Sequence, residues 1–412
     1  MGNKRWSLWT TSQTPSMGLT TCPNKKNIQV IGADRDYNFE IISHRLDLRL
    51  FANPINVTDV SSGDIQQCLA HIPQDLRRLD QGPPSRRRHP ISLFETIESR
   101  LKLPRLAARF EEVLAQLGQE DIRLRDLLIM ISYVYKCRTP VSMDMLVGFT
   151  RGQVTDFKEI YLLLRRLEQL ISDNTGTTFI NYELEDQDYY VPRSTIVGEA
   201  VLSRAEPAAL KSVIKRFYEN VSPYRIPEYD SFKRSAFDND LMVRAFVDVD
   251  EGLAFYEEQF PVERLPYILQ QAALYASKKR HFQEAFDLID RALTISGSAI
   301  WSIRNSWAVI IFSANISHFD DPLGRRTLND SMDMLQKCYE SDRRKPYHAV
   351  TYARQALRLW QECQAEEAIE YLHVSLSWLR EENKKSPWNW QIKDIQQKIQ
   401  EVVPTLPKTH SQ

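Results

Sequence analysis

The sequence predicts a mainly α-helical chain that ends in a stack of helix pairs, and three observations carry this. First, Ala285, Ile289 and Ala292 stand four and three apart, and Ala368, Leu372 and Ser375 repeat that pattern further on. The interval between the two sets leaves room for two units of roughly forty residues, a period found in helical solenoids. Second, another helix precedes each set, with Gln271, Ala272, Ala273 and Ala276 in one and Ala356 in the other; small residues there let antiparallel helices approach closely. Third, apolar residues recur at helical spacing through residues 93–171, ahead of a short β-rich stretch.

At 412 residues the chain is too long for one ordinary core. Its hydrophobic content of 42% and charged content of 26% are those of a folded globular protein. A net charge of -1 removes any general electrostatic drive toward nucleic acid, though it allows a local basic patch. Cys22, Cys68, Cys137, Cys338 and Cys363 are dispersed, with no Cys-x-x-Cys pairing. Neither a disulfide framework nor a zinc site is indicated, and the pattern fits a reducing cytoplasm, the predicted location. No apolar run approaches the ~18 residues needed to span a bilayer, so no membrane partner is expected. Lys4 and Arg5 lack the apolar core of a secretory signal behind them.

Taken in order, residues 1–26 are polar and turn-rich and are expected to be disordered. Residues 27–80 read as a small α/β segment: Asn27-Ile28-Gln29-Val30-Ile31-Gly32-Ala33 suits a buried strand, a helix follows over 37–47, and a second strand and helix lie at 55–60 and 65–72. Two strands do not make a doubly covered sheet. The segment is either the end of a larger domain or a small cap on the helices behind it. Residues 81–92, with Gly82, Pro83, Pro84 and Arg86-Arg87-Arg88, form a linker.

Residues 93–192 read as a helical and winged-helix domain. A first helix covers 93–117, passing Pro104 and stopping at Gly118; a second covers 124–135 and a short one 141–149. A long helix over 154–171 turns Phe157, Ile160, Tyr161, Leu164, Leu167 and Leu170 inward. Residues 177–182 and 189–191 flank the acidic turn Glu185-Asp186-Gln187-Asp188 as a hairpin, and helices followed by a hairpin make the winged-helix layout. Such domains often bind DNA through the third helix. Here Lys158, Arg165 and Arg166 are offset by Asp156, Glu159 and Glu168, and the turn is acidic, so a packing or hinge role is favoured over DNA.

A helical connector follows over 193–264, with helices at 197–202, 207–218 and 241–246. TPR-like repeats then occupy 265–403. The first pair joins 265–279 to 282–294. The second opens with 300–316, places Pro322 and Gly324 in a loop, and returns over 328–339. The third comprises 347–363 and 365–379, and 388–403 closes the stack. Residues 404–412 are expected to be a disordered tail.

The motifs of self-contained catalysis are missing. No Gly-x-x-x-x-Gly-Lys-[Ser/Thr] loop, His-Glu-x-x-His pair or Gly-x-Ser-x-Gly elbow occurs. His44, His71, His281 and His373 sit in or beside helical patterns, where a lone histidine is more often structural. No catalytic residue, metal ligand or cofactor is predicted, and the chain is not expected to be an enzyme.

The order of these parts resembles the region after the nucleotide domain in STAND NTPases, the signal-transduction group of NLR-like immune sensors and bacterial antiviral relatives. Val30-Ile31-Gly32-Ala33-Asp34-Arg35-Asp36 looks like a sensor strand ending in arginine. Residues 127–146 with Cys137-Arg138-Thr139-Pro140, Tyr190-Val191-Pro192-Arg193-Ser194, Phe232-Lys233-Arg234 and Ile303-Arg304-Asn305-Ser306 are similar to stretches of bacterial members. The resemblance implies a ligand-sensing portion whose repeats bind a protein, phage-derived in antiviral members, and signal to an effector. Walker A, Walker B and the effector are absent. Arg35 could therefore sense nucleotide only beside a P-loop NTPase subunit on another chain, and an oligomer is compatible with this reading. Within the array Tyr275, Arg280, Arg304, Asn305 and Arg354 are the candidate protein-binding residues. The alternative function is a winged-helix nucleic-acid-binding regulator that also uses Arg86 to Arg88.

Overall fold

The computed structural model describes residues 5–10, 28–33, 70, 103–173, 188–193, 195–227, 229–297, 300–385 and 389–402. The chain is mainly helical and divides into two compact units, Met1–Ala236 and Phe237–Gln412. The division falls inside the segment that the sequence assigns to a single connector over 193–264. Expectations for Arg35, the 37–72 elements, Arg86 to Arg88 and residues 177–182 lie outside the described residues.

In the first unit β1 (Arg5–Thr10) runs parallel to β2 (Ile28–Ala33), with Arg5 opposite Ile28 and Thr10 opposite Ala33. The strand at 28–33 is where the apolar run places it. β1 lies within the stretch 1–26, of which the structure describes residues 5–10.

The core of this unit is built on α2 (Ile122–Lys136). It packs against α1 (Leu103–Glu120), α5 (Thr195–Arg204) and α6 (Pro207–Asn220). Leu124, Leu127, Leu128, Ile129, Met130, Ile131, Tyr133 and Val134 are wholly buried, so this helix is apolar nearly all round, as expected of a central element. Asp121 caps it by accepting from the Arg123 backbone N–H at 3.0 Å. At its far end the Tyr133 hydroxyl donates to the Ala236 carbonyl at 2.8 Å, and its ring meets Phe217 and Phe232 edge-on. Phe232 belongs to α7 (Tyr229–Ala236), a helix that the prolines on its N-terminal side hide from the sequence reading. Pro104 and Gly118 both lie inside α1. Proline is tolerated in a first turn, where its missing N–H has no helical partner to lose.

Val141 is not helical. β3 (Val141–Ser142) precedes α3 (Met143–Phe149), and β3 lies beside β5 (Tyr189–Pro192) in a three-stranded antiparallel sheet of order β3-β5-β4. The third strand, β4 (Ile171–Asp173), pairs Ile171 with Pro192 and Asp173 with Tyr190. The long helix expected over 154–171 is therefore only α4 (Phe157–Arg166), and Ile171 is a strand residue. Its buried stripe is Ile160, Leu163, Leu164 and Leu167. Phe157 and Tyr161, expected to face inward, are 55% and 45% exposed. Tyr161 stands one residue, about 100°, off that stripe, whereas Phe157 keeps the stripe's spacing to Ile160 and Leu164 but is the first residue of the helix.

The second unit opens with α8 (Asn239–Ala245) and α9 (Val249–Glu263), the latter absent from the sequence reading because Gly252 and Pro261 interrupt its pattern. Three helix pairs follow: α10 (Pro266–Lys278) with α11 (Phe282–Thr294), α12 (Ile300–Asn315) with α13 (Pro322–Ser341), and α14 (Lys345–Cys363) with α15 (Glu367–Lys385). The helix α16 (Trp390–Val402) packs on α15 and α14 and ends the stack. Ala272, Ala273, Ala276, Ala285 and Ala292 are fully buried, as are Ala356 and Ala368 where the last pair meets. Pro322 and Gly324, expected in a loop, form the first turn of α13, where Asp321 caps the helix through the Gly324 N–H at 3.2 Å.

Candidate interaction face

The first helices of the three pairs, α10, α12 and α14, pack directly side by side, whereas the second helices approach one another less closely. The first helices thus form the closely packed side of the array, here its inner face. A chain of buried amide and hydroxyl contacts fixes their register. Asn239 on α8 donates to the Gln271 side-chain carbonyl at 2.6 Å. Its neighbour Gln270 donates to Ser306 on α12 at 2.7 Å. Asn305, next along, donates to Tyr347 on α14 at 3.3 Å, and its carbonyl lies 2.9 Å from Nδ1 of His348. α10 and α12 thus each use two adjacent residues, one reaching back and one reaching forward, and α14 meets Asn305 with the adjacent pair Tyr347 and His348. In an apolar interior such contacts specify one alignment, because a slipped helix leaves them unpaired.

His348 has no solvent exposure, and its Nε2 lies 2.8 Å from Oδ2 of Asp342. Burial favours the uncharged imidazole and lowers its pKa against the pull of that carboxylate. Burial also opposes ionisation of Asp342, but hydrogen bonds from His348 and Arg344 overcome it and bring its pKa down to about 2. Cys338 lies nearby without exposure, its thiol pushed up to about 11 by burial. A thiol in that state is a poor nucleophile.

The inner face is distinguished by its charge. The three first helices carry Lys278, Arg304, Lys345, Arg354 and Arg358, and one carboxylate, Glu362, which Arg358 binds at 2.6 Å. The three second helices carry ten carboxylates against seven cations. Lys278 pairs with Asp240, and Lys345 binds the carbonyls that end α13. Arg304 and Arg354 have no carboxylate partner among the described residues. Arg304 lies over the ring of half-buried Trp301, 5.0 Å from its centroid, and Arg354 is exposed two turns beyond Tyr347, itself 43% exposed. Tryptophan, tyrosine and arginine are residue types enriched at protein interfaces.

The five residues that the sequence singles out in the array fall into two groups. Arg304 and Arg354 lie on the inner face of adjacent first helices, and Arg280 is exposed in the turn between α10 and α11 with a left-handed φ of 66°. Tyr275 and Asn305 are interior. The Tyr275 hydroxyl donates to the carbonyls of Phe246 at 3.1 Å and Asp248 at 3.0 Å, and Asn305 belongs to the contact chain above. Neither presents its side chain to a ligand. Trp301 and Tyr347 were missed, although the charge contrast between first and second helices is visible in the sequence once the pairs are assigned.

Among the described residues no group of three or more His, Cys, Asp or Glu side chains could hold a metal ion, and no helix is long and apolar enough to cross a membrane. Comparison with protein-family models, with curated proteins and with solved structures finds no match.

Proposed function

We propose that this chain is a protein-binding, non-catalytic portion of a STAND-like signalling or antiviral defence assembly, in which the helix-pair array holds an acidic segment of a protein ligand. The observation that carries this reading is the segregation of charge. The inner helices carry five cations against a single carboxylate while the outer ones carry more carboxylates than cations, and Arg304 beside Trp301 and Arg354 two turns from Tyr347 stand without a carboxylate partner among the described residues. Charge complementarity of this kind steers a partner and rejects those of like sign. Any nucleotide hydrolysis would belong to a P-loop subunit on another chain.

A random-peptide display library panned against the full chain tests the reading, with counter-selection on Arg304→Glu/Arg354→Glu. Acidic sequences retained by the parent and lost on the variant are expected. Enrichment indifferent to the two substitutions, or of basic sequences, rejects it. The nucleic-acid reading has less support, since α4, the helix that would enter a groove, carries Glu159 and binds Asp188 through Tyr161.

A further inference from the structure

We infer that His348 is a proton switch within the array: when its ring takes up a proton, the side-chain amide of Asn305 turns over and the hydrogen bond between Asn305 and Tyr347 reverses. The inference follows from the donors and acceptors of one buried chain. Nε2 of His348 lies 2.8 Å from Oδ2 of Asp342, Nδ1 lies 2.9 Å from one end of the Asn305 amide, and the other end of that amide lies 3.3 Å from the Tyr347 hydroxyl. His348 has no solvent exposure and Asn305 is buried, so these polar atoms are matched within the chain.

Asp342 stays ionised down to about pH 2 and can only accept, so Nε2 carries a proton in either charge state of the ring. The charge is therefore decided at Nδ1. In the imidazolium Nδ1 donates to the Asn305 carbonyl, and the amide N–H is left to donate to the Tyr347 oxygen. In the neutral ring Nδ1 is a lone pair and must accept, so the Asn305 N–H turns to it, and the carbonyl that takes its place accepts from the Tyr347 O–H. The oxygen and nitrogen ends of an amide are nearly the same size, so the turn disturbs no packing. The Tyr347 hydroxyl also bonds Ser306, which accepts from Gln270 on α10 at 2.7 Å. A proton gained where α13 passes to α14 thus alters the contacts that align the three first helices.

The surroundings set where the switch acts. Burial opposes the proton most, Asp342 favours it, and Arg344 and Lys345 oppose it, a balance that lowers the pKa below 6.5. Cys338 on α13 lies beside Asp342 and Tyr347, its thiol pushed up to about 11, and Arg304 on α12 lies beside Cys338. On α15, Glu381, Glu382 and Lys385 act on Tyr339.

The test is long-range proton–nitrogen NMR on the full chain with 15N-labelled histidine, the His348 ring being assigned as the signal lost in His348→Gln. At pH 7.5 the ring should be neutral and protonated on Nε2, and it should become the imidazolium as pH falls below 6.5. Asn305→Asp has acceptors and no N–H to offer the neutral ring, so it should raise proton affinity by about tenfold or more, one pH unit in the titration midpoint. A neutral ring protonated on Nδ1, an imidazolium that persists at pH 7.5, or a midpoint that Asn305→Asp leaves in place or lowers overturns the inference. The tautomer is read on the parent chain, so it decides the matter even where Asn305→Asp does not fold.

Discussion

The imidazole Nε2 of His348 lies 2.8 Å from Oδ2 of Asp342, so the residue that ends α13 is tied to the first turn of α14 by a contact with no solvent exposure on the histidine side. Because Nδ1 of the same ring meets Asn305, one side chain joins three helices of the array.

A pH dependence follows from this contact. The folded-state pKa of His348 lies below its ordinary 6.5. The unfolded chain therefore takes up a proton before the folded one does, and stability is whole above that value and declines as pH falls below it. Asp342 works lower: its contribution is present above 3.8 and is lost as pH falls toward about 2. Urea unfolding of the full chain should show lower stability at pH 5 than at pH 7.5, with a smaller difference in His348→Gln. An unchanged difference in the variant would mean that another group sets the slope.

Gly252 on α9 gives a steric prediction. A β-carbon there would run into the hydroxyl and ring of Tyr275, which is fully buried and holds the carbonyls of Phe246 and Asp248. Gly252→Ala must displace that ring, and overpacking of this kind costs about 1–3 kcal/mol. Tyr275→Phe keeps the packing but strands two carbonyls, for a loss of about 1 kcal/mol. If the double variant lost the full sum of both, the two residues would not be acting on the same contact.

Asp126 is 2% exposed and bridges Arg125 at 2.9 Å and Arg216 at 3.1 Å; Arg216 also donates to Gln153 and lies over the ring of Phe149. Removing one partner of a buried ion pair typically costs about 3–5 kcal/mol. Arg216→Ala should reach the lower end of that range, because Arg125 still faces the carboxylate. A loss below about 1 kcal/mol in denaturant unfolding would show that solvent reaches Asp126 and replaces the guanidinium.

The helix pairs were legible because small and apolar residues at three- and four-residue spacing mark a closely packed helical face, and Ala285, Ala356 and Ala368 are buried as that argument requires. Boundaries were harder to place. The sequence places Pro322 in a loop, whereas a capping aspartate just ahead makes it a helix start. Pro261 and Gly252 masked α9 for the same reason, since local preference is set aside when a helix has partners to pack against. Within the interaction face, Arg304 and Arg354 could be chosen by residue type. Tyr275 and Asn305 could not be separated from them, because the carbonyls of Phe246 and Asp248 and the ring of His348 come from other helices. Phe157 and Tyr161 failed in the opposite direction: Tyr161 stands a residue off the covered stripe, and Phe157 keeps its spacing but begins the helix, so only the fold shows both exposed.

The charge contrast across the array leads to the last prediction. Arg354 is exposed and bound to no carboxylate among the described residues, so Arg354→Glu should change stability by no more than about 0.5 kcal/mol. Arg304→Glu forfeits the stacking on Trp301 and should cost about 0.5–1 kcal/mol. Both should nevertheless weaken binding of an acidic peptide selected on the parent chain, because each reversal replaces an attraction with a repulsion at the same place. The salt dependence separates this from indirect damage. Binding to the parent should weaken as salt rises across the range where the screening length shrinks from about 30 Å to about 8 Å, and the double variant should show a much flatter response. Equal slopes for parent and variant in fluorescence anisotropy titrations would place the acidic segment away from these two arginines.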